Sequence, residues 1–236
     1  MISNLKLAGL VLLLSASATP LLAQDDWERI DSSKVISADT LTNDGYTLVF
    51  VNLQKDFSEV TAKRLKETFF IVYPQEVEKY NPRSSKKVVF VIDPAYTGVA
   101  AASGKTVRFN PEWFVKNPED IDVVTHECMH IVQQYKDFEP GWITEGIADY
   151  VRATIGINNK AGNWTMPDVK PEQSYKNAYR VTARFFVWIE KNKKPGLVAD
   201  LNEAMRKGKY TEKFWKKQTG LTVDELWNEY SKNPAL

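Results

Sequence analysis

His126 and His130 are the only histidines in the 236-residue chain, and their spacing constrains it more than any other feature. They lie in the run VTHECMHIVQQY from Val124 to Tyr135. Residues i and i+4 share one face of a helix, one turn apart, so both imidazoles can reach the same ion. Glu127, beside the first histidine, can lean over that ion. This is the HExxH arrangement, in which two histidines bind Zn²⁺ and the glutamate is general base for a metal-activated water. A catalytic zinc usually takes three protein ligands and keeps one position open. The third cannot be histidine, and the Gly and His of the longer metzincin motif are replaced by Gln133 and Lys136. The next predicted helix carries TEGIAD from Thr144 to Asp149. Glu145 and Asp149 are again one turn apart on one face, and either carboxylate can complete the site. A turn at Glu139-Pro140-Gly141 is placed to fold this second helix back onto the first.

The rest of the pattern places strands first and helices second. Trp27 to Asp44 is polar and irregular and reads as a short edge element. Tyr46 to Leu53 and Lys87 to Ile92 are rich in β-branched and aromatic residues and predict strands. Between them, the spacing of Leu65, Phe69, Val72 and Val77 predicts a helix over Val60 to Tyr80, broken or kinked near Pro74. Thr97 to Ala102 and Lys105 to Phe109 flank Ser103-Gly104 as a hairpin. The metal helix is predicted from Pro118 to Tyr135, and its neighbour from Glu145 to Ala153 with Thr144 as cap. A long loop, Asn158 to Gln173, contains the sequon Asn163-Trp164-Thr165. Helices follow over Tyr175 to Lys191, Leu197 to Lys207 and Val223 to Ser231, the last with a Thr222/Glu225 capping box. This order predicts an α+β fold.

The first 23 residues combine Lys6, an apolar run from Leu7 to Ala18 and a small-residue exit at Ala23. They read as a cleaved secretory signal peptide, shorter than the roughly 18 apolar residues of a membrane span. The expectation is a secreted or periplasmic protein, with residues 24–236 as one domain and no stable membrane insertion. Cys128 is the single cysteine, so no intramolecular disulfide forms. A formal net charge of +1, with both signs interspersed, argues against a nucleic-acid partner. The expected partner is a peptide or protein substrate, met by a monomer.

Three segments together are similar to a known family: VTHECMHIVQQY, then GWITEGIADYVR from Gly141 to Arg152, then YRVTARFF from Tyr179 to Phe186. They resemble the plant basic secretory proteins and their bacterial relatives, a family of zinc peptidases. The resemblance implies a zincin-like metallopeptidase fold. Its gluzincin-like, thermolysin-type character favours Glu145 as third ligand and Asp149 as acceptor for a ligand histidine. Gln133 matches the family's glutamine three residues after the second histidine and falls on the ligand face. Tyr179 is the candidate to stabilise the oxyanion, with Tyr175 as second choice, since no third histidine exists for that role. The near-neutral charge departs from the basic character in the family's name.

Arg184 reads as a structural ion-pair partner. Cys128 sits two positions from each ligand histidine and should point to the opposite side, as a buried apolar thiol. Lys105 to Phe109 is the candidate edge strand for pairing with an extended substrate. The competing reading is a catalytically weak zinc-containing module that binds a cell-surface or extracellular polymer. An intact Glu127 argues against it, because a structural zinc site has no use for a base.

Overall fold

The computed structural model describes residues 27–236, so the leader read at 1–23 lies outside the described residues. Five strands form one mixed sheet in the order β1-β2-β3-β5-β4. β1 (Ser37–Asn43) and β2 (Tyr46–Asn52) pair antiparallel. The turn between them is Asp44-Gly45, with φ of 48° and 79°, the left-handed pair that a tight hairpin needs. β3 (Lys87–Ile92) runs parallel to β2 and to β5 (Thr106–Phe109), while β4 (Ala100–Ser103) closes the sheet antiparallel to β5. The polar stretch before Asp44 thus contains a regular seven-residue edge strand.

The long crossover from β2 to β3 is α1 (Glu59–Tyr80), opened by Ser58, whose side chain accepts from the Thr61 amide. Leu65, Phe69, Val72, Tyr73 and Val77 are buried, and Phe69 meets Phe90 of β3 edge-on at 5.5 Å. Of the break or kink expected near Pro74, the break does not occur: α1 runs through it. Proline deletes one helical donor, and the buried residues on either side hold the helix in place.

Two short helices are not apparent in the periodicity, α2 (Pro111–Lys116) and α7 (Lys213–Thr219). The metal helix, α3, spans Val123–Gln133 rather than starting at Pro118. Its approach is held by side chains instead: Asp122 accepts from the amides of Ile157 and Asn158, and Asp120 accepts from Trp113 Nε1 at 2.8 Å. It ends where Gln134 turns left-handed at φ 44°. α4 (Gly141–Ile155) starts before the predicted Glu145. Thr144 does not cap it; its hydroxyl donates to Phe138 O at 2.7 Å. The predicted Tyr175–Lys191 helix is divided into a 3₁₀ turn, Tyr175–Asn177, and α5 (Tyr179–Asn192). The divide falls at Ala178 and Tyr179, with φ of 59° and 48°. α6 (Leu197–Arg206) and α8 (Val223–Lys232) follow, α8 with the expected capping box.

α4 lies between α3 and α5. At Gly146 an added Cβ would lie 2.4 Å from Thr182 Cγ2, so only glycine admits this approach. The strand expected to offer an edge to substrate is an interior one. Lys105 to Phe109 becomes β5, which is flanked by β3 and β4 and has no free edge. Among the described residues the free edge facing α3 belongs to β4, because the hairpin folds its first strand to the outside. No helix among the described residues is long and apolar enough to cross a membrane.

Candidate metal centre

A cleft of about 1510 Å³ runs between β4 and the helices, and α3 and α4 supply its floor. The two helices bring His126, His130 and Glu145 together, with one ligand atom from each lying within 4.8 Å of the others. His126 Nε2 is 3.2 Å from His130 Nε2 and 3.1 Å from Glu145 Oε2, and His130 Nε2 is 3.5 Å from that oxygen. Ligands about 2.0–2.1 Å from a tetrahedral ion are ~3.3 Å apart. The donor set fits such an ion.

The outer nitrogens explain why these atoms face one another. His126 Nδ1 lies 2.7 Å from Asp149 Oδ1, one turn along α4 from Glu145. A carboxylate there accepts the Nδ1 proton and leaves Nε2 with a lone pair. His130 Nδ1 lies 2.8 Å from Gln133 Oε1, and Gln133 Nε2 donates to Thr144 O at 2.9 Å. That second bond orients the amide, so its oxygen accepts from His130 and frees the Nε2 lone pair. Glu145 Oε2 is buried without a hydrogen-bond partner. Three lone pairs therefore converge on one point, an arrangement that calls for a cation.

The surrounding carboxylates favour positive charge at this point. Burial opposes charge on His126, yet Asp149, Glu145 and Glu127 hold its pKa well above the ordinary imidazole value. Burial would raise Glu145, but the adjacent His126 and His130 bring it down to about 2. Glu127 is pushed up by burial, with Glu145 and Asp149 adding to the effect and the two histidines opposing it. Cys128 is fully buried and its thiol is raised chiefly by burial, as its position away from the ligand face implies.

Tyr179 is half exposed at the start of α5, and its ring lies nearly parallel to that of His126, centroids 6.2 Å apart. Two consecutive non-glycine residues at positive φ hold it there, a costly backbone that packing must maintain. Tyr175, the second candidate to stabilise the oxyanion, does not line the cleft. It is buried against Trp142, with its hydroxyl donating to Asp224. Arg184 pairs with Asp168 at 3.2 Å and does not line the cleft. Residues that the spacing did not single out also line the cleft: Tyr96, Trp113, Asp120, Arg152 and Trp164. Of these, only Arg152 carried a readable signal, since it continues the i, i+4, i+7 face of Glu145 and Asp149.

Over residues 33–230 the sequence matches the family described as peptidase of plants and bacteria. The chain belongs to this family. No curated protein matches the sequence. Among solved structures, one similar fold is a two-domain M1 zinc metallopeptidase variant bound to L-arginine. It shares 12% identity at a TM-score of 0.53, over 83% of this chain and 51% of that one. Another is an M1 zinc metallopeptidase variant from Deinococcus radiodurans, with 10% identity and a TM-score of 0.51, over 86% of this chain and 52% of that one. At such identities the likeness establishes the fold, which is zincin-like α+β. This family member spans about half the length of those metallopeptidases.

Proposed function

We propose that the protein is a secreted zinc metallopeptidase that hydrolyses peptide bonds, with Zn²⁺ held by His126, His130 and Glu145. The observation that carries this reading is the convergence of two imidazole lone pairs and an unpartnered carboxylate oxygen on one point in a long cleft. Bound Zn²⁺ supplies a Lewis acid that polarises a carbonyl and makes water acidic near neutral pH.

The chain's own residues do the remainder. Asp149 and Gln133 fix the tautomers and ring orientations of the two histidines. Glu127 takes a proton from the attacking water and returns it to the departing amine. Tyr179 donates its hydroxyl to the oxyanion that develops at the scissile carbonyl. The free edge of β4 accepts an extended peptide by main-chain pairing. Export rests on the apolar leader at 1–23, and N-terminal sequencing of protein recovered outside the cytoplasm tests it.

The test of the function is zinc content and peptide hydrolysis for wild type and Glu127→Ala. Wild type should hold one zinc per chain and cleave, whereas the variant should hold zinc and not cleave. A wild-type protein that binds no stoichiometric metal would sink the proposal. Metal without cleavage of any peptide would favour a binding module.

A further inference from the structure

One corner of the cleft has a construction unrelated to the metal. Arg152 and Asp120 form an ion pair there, each about 5% exposed (5% and 6%). Two tryptophans are fixed to that same pair. Trp113 donates its indole N–H to Asp120 Oδ2 at 2.8 Å, and the Trp164 ring lies over the Arg152 guanidinium at 4.7 Å. Both indoles line the cleft beside the buried Val123. Asn159 completes the bracing by accepting from Arg152 Nε at 3.0 Å and donating to Arg152 O at 2.7 Å. The loop bearing Trp164 is thus tied to α4 and to the approach of α3, and its aromatic wall is preformed.

The position follows from helix geometry. Glu145, Asp149 and Arg152 occupy one face of α4, and Arg152 lies about 10 Å along the axis from the metal ligand. An extended peptide covers that distance in roughly three residues. Polarity follows from the sheet. Asn110, which caps α2, donates from its amide to Val99 O and from its side chain to Gly98 O, so Trp113 sits at the N-terminal end of β4. A peptide paired antiparallel to β4 runs toward that end with its C-terminal half. The corner therefore faces residues that follow the scissile bond.

The charge of Arg152 is answered by Asp120, so this buried pair presents no unpaired charge to a ligand side chain. The large apolar side chains lining this corner are those of Trp113 and Trp164. We propose that this corner is the specificity pocket, taking a large apolar, above all aromatic, side chain from the first three residues after the scissile bond. The proposal rests on the peptidase reading, and the test separates the two.

Binding is measured on zinc-loaded Glu127→Ala, using fluorescence anisotropy of labelled peptides that carry Phe, Ala or Glu at those three positions in turn. Cleavage of the same peptides is measured on zinc-loaded wild type. At one position Phe should bind at least about tenfold more tightly than Ala or Glu, as burial of one large apolar side chain implies. Adding Trp164→Ala should abolish the difference and Trp164→Phe should keep most of it; Trp113→Phe serves if the alanine variant fails to fold. Equal binding of Phe and Ala at every position, a preference for Glu, or a preference untouched by Trp164→Ala would each overturn the pocket. Wild type that cleaves without preference overturns the pocket and leaves the peptidase reading intact. Selective binding without any cleavage does the reverse.

Discussion

Replacing Asp149 with Asn tests whether this residue supports the metal site or belongs to its ligand set. Asp149 Oδ1 sits 2.7 Å from His126 Nδ1, and the residue is 4% exposed, so water cannot readily replace it. Asparagine is nearly isosteric. With its oxygen toward His126 it preserves the tautomer but loses the negative charge that makes Nε2 a better donor. With its nitrogen toward His126 it selects the wrong tautomer and directs an N–H at the metal position. Loss of an outer-shell partner costs about 10–100-fold in metal affinity, or roughly 1.4–2.7 kcal/mol. Glu145→Ala removes a carboxylate at 3.1 and 3.5 Å from the two imidazole nitrogens, so its loss should be larger. Zinc stoichiometry and competition with a chromophoric chelator at about pH 7 read both quantities, and circular dichroism controls for folding. The expected order of affinity is wild type, then Asp149→Asn still binding one zinc, then Glu145→Ala. If Asp149→Asn loses its zinc while Glu145→Ala keeps it, the ligand assignment is reversed and the reasoning is refuted. An Asp149→Asn affinity equal to wild type would refute the role of the charge.

Three further outcomes are expected. Tyr179→Phe should lower kcat by about 10²–10³-fold with little change in KM, since it removes a donor used only in the transition state; steady-state kinetics on one peptide read this split, and a pure KM effect would remove Tyr179 from the mechanism. Glu76 is fully buried, neither carboxylate oxygen has a partner, and burial raises its pKa well above 4.5, with only His126 opposing. Between 4.5 and that raised value the folded chain keeps a proton that the unfolded chain releases, so stability falls as pH rises. Glu76→Gln should therefore gain stability over wild type between about pH 5 and 8 in urea titrations of the metal-free protein; a constant difference would show that Glu76 does not titrate differently on folding. Gly146→Ala should cost about 1–3 kcal/mol through overpacking, since the new methyl would lie 2.4 Å from Thr182 Cγ2, and an unchanged urea midpoint would mean that α4 and α5 can part cheaply.

Which of these features the sequence revealed depends on how locally each was encoded. His126, Glu127, His130, Gln133, Glu145 and Asp149 sit at spacings that a helix converts directly into a shared face, so their meeting was legible before any tertiary structure. Strand and helix periodicity likewise placed β2, β3, α1, α6 and α8 within a residue or two. Errors fell where side chains rather than repeats set the boundary. Asp120 and Asp122 use their carboxylates to hold the segment that the Pro118 signal assigned to α3. Tyr175 stood at helical spacing with the residues after it, but the left-handed Ala178 and Tyr179 swing it into the core.

The edge strand and the aromatic corner were hidden for a different reason. Whether β4 or β5 has a free edge depends on which of them pairs with β3, a contact that neither strand's own pattern encodes. Trp113, Asp120, Arg152 and Trp164 come from four separate segments, joined by one ion pair, one indole hydrogen bond and one stacked ring. Helical spacing can therefore announce chemistry that needs two or three ligands on adjacent turns. Selection among substrates is built from distant residues that meet only after the sheet and helices have packed. Mutations in the HECMH run should accordingly act on metal and rate, whereas mutations at Trp113 or Trp164 should change which peptide is cut while the metal stays bound.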